Sequence, residues 1–150
     1  MTNFAPDNKK GPPMQAKNKY EMLSECMQTA PVSDYAREFL ADVDRAVSDL
    51  MPTNKLAVEH VAAKLCLSPS KLRRQLAFYT RITPANYLMM LRMRKAVSLL
   101  AAYPKYPISV IASRCGFSDH AHFTHAFVRF FGKPPMQYVQ EHNEHQAGQA

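Results

Sequence analysis

One sign of charge is almost missing from the larger part of this 150-residue chain. Between His60 and Gln140 twelve Lys/Arg face a single acid, Asp119. Acid–base or metal-assisted hydrolysis needs carboxylates or paired Ser/His/Asp or Cys/His groups, and the basic region has none in a spacing with a mechanism attached. Neither an enzyme nor a cofactor site is expected. Cysteine is also sparse: Cys26, Cys66 and Cys115 are odd in number, far apart and form no CxxC pair. That pattern excludes a disulfide framework and favours a reducing, cytoplasmic setting. No apolar run approaches the roughly 20 residues that span a bilayer, and the first residues show no signal-peptide h-region. No membrane association is expected, and no stretch reads convincingly as a strand.

What is present is unevenly distributed. The net charge is +7, yet residues 1–59 carry seven bases against nine acids. The positive charge therefore belongs to the region from His60 onward, whose field would concentrate polyanions near its surface. That same region repeats itself. Val61-Ala62 returns as Ile111-Ala112 and Leu67-Ser68 as Phe117-Ser118, fifty positions later. Beyond the serine the offset becomes fifty-one, pairing Leu72 with Phe123, Leu76 with Phe127, Pro84 with Pro135 and Tyr87 with Tyr138. An apolar frame is kept while the residues between its members change, as two copies of one helical module with different surfaces would require.

Local signals place the helices. Residues 1–31, with four prolines and four lysines, read as a flexible arm or linker in which Tyr20–Met27 could form a turn or two of helix. Ser33 is a candidate N-cap for a helix carrying Tyr35, Phe39, Val43, Ala46, Val47 and Leu50, which Pro52 stops. Val58–Leu65 forms a short helix, Cys66-Leu67 a turn, and Ser68 caps a helix that opens on Pro69. Thr83-Pro84 repeats that start and opens a connecting helix over about 84–102. A helix from about Ser109 to Cys115, a turn at Gly116-Phe117, a cap at Ser118 and a helix through Phe131 follow. Gly132 is a suitable C′ residue, and Pro134 or Pro135 starts a last helix past Tyr138. The expectation is an all-α chain of about seven helices.

Each module has the parts of a helix-turn-helix: a small residue at the crossing (Ala62, Ala112), a short turn, and a capped helix with a polar outer face. That face shows Ser70, Lys71, Arg73, Arg74 and Gln75 in the first copy, and His120, Ala121, His122, Thr124 and His125 in the second. Arginine can donate two hydrogen bonds to guanine O6 and N7, and histidine can reach the same acceptors with less charge. Amides at the helix starts near Ser68 and Ser118 suit phosphates, and Lys71, Arg129 and Lys133 add cations for the same partner. A metal at His120, His122 and His125 is not expected, because i, i+2 and i+5 do not converge on one helix face. Leu88–Leu91 beside Arg92 and Arg94 reads as packing between modules rather than a membrane-surface helix.

The second copy, Ile111-Ala112-Ser113-Arg114-Cys115-Gly116-Phe117-Ser118-Asp119 followed by Phe123, Phe127, Phe131-Gly132-Lys133-Pro134-Pro135 and Tyr138, resembles the signature of AraC/XylS-type transcription regulators. The resemblance extends over about residues 35–140. It implies a monomeric double-stranded DNA-binding unit at 32–140, with helix-turn-helix subdomains at about 58–80 and 109–131 and a tail at 141–150. It further implies transcriptional activation through contact with RNA polymerase, and a sensory domain outside this chain. Base reading would fall to Ser70, Arg73, Arg74, His120, Ala121, His122, Thr124 and His125, and phosphate contact to Ser68, Lys71, Ser118, Arg129 and Lys133. Three departures stand out. His125 replaces a frequent Arg or Lys, Arg81 replaces a glycine where φ > 0 is favoured, and Met89-Met90 replace polar residues and point to contact with a partner domain. The competing reading is a non-specific architectural or protein-interaction module that uses charge alone.

Overall fold

A computed structural model describes the backbone of residues 17–53 and 56–147 and the side chains through residue 144. The first sixteen residues of the expected arm and the last three of the tail lie outside it. The described residues form eight α-helices and no strand: α1 (Lys19–Gln28), α2 (Asp34–Leu50), a 3₁₀ turn (Met51–Thr53), α3 (Val58–Lys64), α4 (Pro69–Thr80), α5 (Pro84–Ala102), α6 (Ile108–Arg114), α7 (His120–Phe131) and α8 (Pro135–Ala147). None of these helices is long and apolar enough to cross a membrane.

The repeated frame is the core. Val61, Ala62, Leu72 and Leu76 of the first module and Ile111, Phe123 and Phe127 of the second are all 0% exposed. They belong to one continuous apolar cluster that runs through α5 by way of Tyr87, Leu91, Met93 and Ala96. The second module is filled differently, with Phe123, Phe127, Phe131 and Tyr138 in successive ring contacts of 4.6–5.9 Å between centroids. Where Phe131 stands, the first module has Thr80, fully buried, whose hydroxyl donates to the Leu76 carbonyl at 2.6 Å.

An eighth helix appears where the sequence suggested arm or linker. α1 is fixed by a capping box: Asn18 Oδ1 accepts from the Glu21 amide at 2.8 Å, and the Asn18 amide donates to Glu21 Oε1 at 3.1 Å. Leu23 is buried, and Tyr20 lies 5.2 Å from Phe131, so α1 is docked on the second module. At the other end α8 runs to Ala147, well into the expected tail.

The cap of α7 is Asp119 rather than Ser118. Its carboxylate accepts from the Ala121 amide at 2.8 Å, while Ser118 lies outside the helix and is exposed. The offset changes from fifty to fifty-one at this point because one added residue displaces the cap. A carboxylate suits a helix start better than a hydroxyl by its interaction with the helix dipole. The left-handed position expected at Arg81 is present at φ 66°, and Gly132 repeats it at φ 83°. Cys66 (φ 58°) and Gly116 (φ 88°) form a second such pair. Met90 is 3% exposed and belongs to the core, whereas Met89 packs half-buried against that core and keeps part of its side chain at the surface.

Candidate nucleic-acid interface

Two helices carry the expected reading faces, and each is held from behind. In α4, Leu72 and Leu76 turn inward, leaving Ser70, Lys71, Arg73 and Arg74 exposed on the other side. Ser68 caps this helix, its hydroxyl accepting from the Lys71 amide at 3.1 Å. In α7, Phe123, Ala126 and Phe127 turn inward, His120, Ala121, His122, His125 and Arg129 stay exposed, and Thr124 is half-buried.

Not all of the expected cations are free. Arg73 Nη2 lies 2.5 Å from Glu59 Oε2, an ion pair across the first helix-turn-helix. Its own backbone amide and then the Arg73 guanidinium hold the Glu59 carboxyl below the usual carboxylate range. Lys133 pairs with Glu141 on α8, which also accepts from Gln137. Glu59 and Glu141 stand immediately before and after the His60–Gln140 stretch whose one acid is Asp119. Sequence spacing placed both just outside the basic region, whereas packing brings both onto it. Among the described residues, no three His, Cys, Asp or Glu side chains converge as a metal site.

The two modules are joined by more than the length of α5. Arg92, half-buried at the middle of that helix, donates to the Leu56 carbonyl at 3.2 Å, just ahead of α3. Its guanidinium also sits 4.9 Å over the Phe117 ring in the turn of the second module. Burial lowers the Arg92 pKa from its ordinary value. Phe117 in turn meets His122 edge-on at 5.3 Å, linking this joint to the exposed polar face of α7. Below the joint, Tyr87 donates to Asp44 at 2.6 Å, tying α5 to α2, and burial raises the Asp44 carboxyl above its usual value. Cys115, buried behind Phe117, has its thiol pushed up to about 12 by burial, which leaves it unreactive near neutrality.

Two capped helices with polar outer faces, each crossing a short partner helix and both seated on one connecting helix, define a double helix-turn-helix DNA-binding domain. Residues 61–141 match the helix-turn-helix domain family. The transcriptional activator RhaS of Salmonella arizonae is 43% identical over 82 residues, which cover 55% of this chain and 29% of that activator. The chain thus spans less than a third of the length of that relative. Among solved structures, the C-terminal domain of AraT, a response regulator from Geobacillus stearothermophilus, aligns with a TM-score of 0.62 at 28% identity, over 75% of this chain and 88% of that one. The DNA-binding domain of the global transcriptional factor AdpA, solved in complex with a target DNA, aligns with a TM-score of 0.62 at 25% identity, over 72% and 96%. The chain belongs to the AraC-type helix-turn-helix family and contains its DNA-binding domain. Members of this family are transcription regulators rather than enzymes.

Proposed function

We propose that this domain reads two successive major-groove segments on one face of a single duplex, with α4 in one and α7 in the other. The observation that carries this reading is the mounting of both capped helices on one core around α5. Nineteen residues of helix span about 28 Å at 1.5 Å per residue. Successive major-groove faces lie about 34 Å apart, so a single protomer can engage both. Ser70, Arg73 and Arg74 read one half-site, and His120, Ala121, His122, Thr124 and His125 the other. Ser68, Lys71, Ser118, Arg129 and Lys133 meet phosphates, the lysine after release from Glu141.

The function we assign is sequence-specific transcription regulation, with activation by contact to RNA polymerase and control from a sensory domain. The similarity to RhaS, a transcriptional activator, and to AraT, a response regulator, supports that direction. Selection from a random duplex pool at about 150 mM salt tests the reading. Two enriched blocks about ten base pairs apart are expected. Binding with a steep salt slope and no enriched block would instead mark a non-specific, charge-driven module.

A further inference from the structure

A cleft of about 350 Å³ lies beside the second recognition helix, between α1, the first turn of α5 and α7. Lys19, Asn86, Met89, His122, His125 and Arg129 line it, and no acidic residue does. Lys19 comes from α1, ahead of the residues that match the family, and reaches the cleft because α1 is docked there. Tyr20 lies against Phe131, Leu23 is buried, and the Lys19 ammonium sits 5.0 Å over the ring of Phe130. Among the described residues neither Lys19 nor Arg129 has an ion-pair partner, whereas Lys17, Arg73 and Lys133 each do. Two unneutralised cations from different helices therefore face one opening, beside the Asn86 amide and two imidazoles. Ala85, Asn86 and Met89 near the start of α5 complete the lining, and only three residues separate that helix from the end of α4 at Thr80.

We infer that this cleft is a DNA phosphate-binding site, in which Lys19 and Arg129 clamp the backbone segment leading from the second half-site toward the first. The inference rests on the two-segment reading proposed above. It adds α1 to the DNA interface and gives that helix a chemical task beyond packing. Lys19 also has little freedom to lose, because the Phe130 ring and the helix capping box already hold it in place. An ordered cation gives up less side-chain entropy on binding than a free one.

The test uses the full chain and a duplex carrying the enriched two-block site, with affinity measured from about 50 to 300 mM salt. Lys19→Met keeps the stem over Phe130 and removes the charge; Arg129→Gln is its partner variant. Each should lower the slope of log K against log salt by about 0.9 and weaken binding roughly threefold to tenfold at 150 mM, with the preferred bases unchanged. A duplex with one neutral methylphosphonate between the blocks should bind the wild type as weakly as the variants, and Lys19→Met should add no further loss on it. An unchanged slope with Lys19→Met, or losses that simply add on the neutralised duplex, would overturn the cleft assignment and leave the two-segment reading intact. Failure to enrich any two-block site sinks that reading itself. A melting curve for each variant separates lost binding from lost folding.

Discussion

Gly116 offers the sharpest energetic test of how the two modules are held together. It stands at φ +88°, in the left-handed region, and a β-carbon built there would lie 2.9 Å from the Met51 carbonyl oxygen. Gly132 has a nearly equal φ of +83°, but a β-carbon there meets nothing within 4 Å. The pair separates backbone strain from steric contact. Alanine in the left-handed region costs on the order of 1 kcal/mol, which should be the whole effect at Gly132. At Gly116 the neighbour is backbone, in the turn just ahead of the first module, and it cannot rotate aside. Forcing extra volume into such a contact costs about 1–3 kcal/mol more. Gly116→Ala should therefore lose about 2–4 kcal/mol and Gly132→Ala about 1. At roughly 4 °C per kcal/mol for a domain of this size, thermal unfolding followed by circular dichroism should show Tm falls of about 8–16 °C and about 4 °C. Gly116→Ala should also weaken binding to a two-block duplex more than to an isolated block, because Met51 leads into the first module and Gly116 lies in the turn of the second. Equal Tm losses for the two variants would refute the close approach of these backbones.

Three further outcomes follow from specific contacts. Arg81→Gly removes a side chain from φ 66° and should stabilise the domain by about 1 kcal/mol in urea unfolding; a loss of stability would mean that the arginine makes a compensating contact. Glu59→Gln frees Arg73 and should raise affinity for duplex at low salt severalfold, a gain that fades above about 0.3 M salt; no gain would remove Arg73 from the interface. Tyr87→Phe leaves the Asp44 carboxylate without its donor and should cost about 1–3 kcal/mol at pH 7. The Asp44 pKa is already raised by burial, so its ionised form opposes folding above that raised value, and the opposition fades as pH falls toward the ordinary carboxylate range. Losing the donor raises it further. The deficit of the Phe variant should accordingly shrink between pH 7 and pH 4, and a deficit independent of pH would mean that Asp44 is not the partner that matters.

Much of this protein follows from local patterns that a linear chain displays. A buried stripe recurs with the helical period, and caps with prolines behind them mark helix starts at Ser68-Pro69 and Thr83-Pro84. The offset between two apolar frames is visible without coordinates, so the all-helical fold, the doubled module and the outward faces of α4 and α7 were legible. The change of offset at Ser118 was visible too, but two adjacent capping residues compete there, and only the backbone path shows that Asp119 turns its carboxylate onto the helix. The rest depends on contacts between segments far apart in the chain, for which spacing carries no signal. Asn18 and Glu21 form a legible capping box, yet nothing local says that Tyr20 lands on Phe131 or that Lys19 stands beside Arg129. Charge counts described a region with one acid, but electrostatics acts through space, and folding sets Glu59 against Arg73 and Glu141 against Lys133. The character of the two modules is written in the linear chain, because helix period and capping are short-range properties. Tertiary structure alone decided how they are joined, at Arg92, Gly116 and α1, and which cations remain free for a polyanion, because those depend on distances that only packing creates.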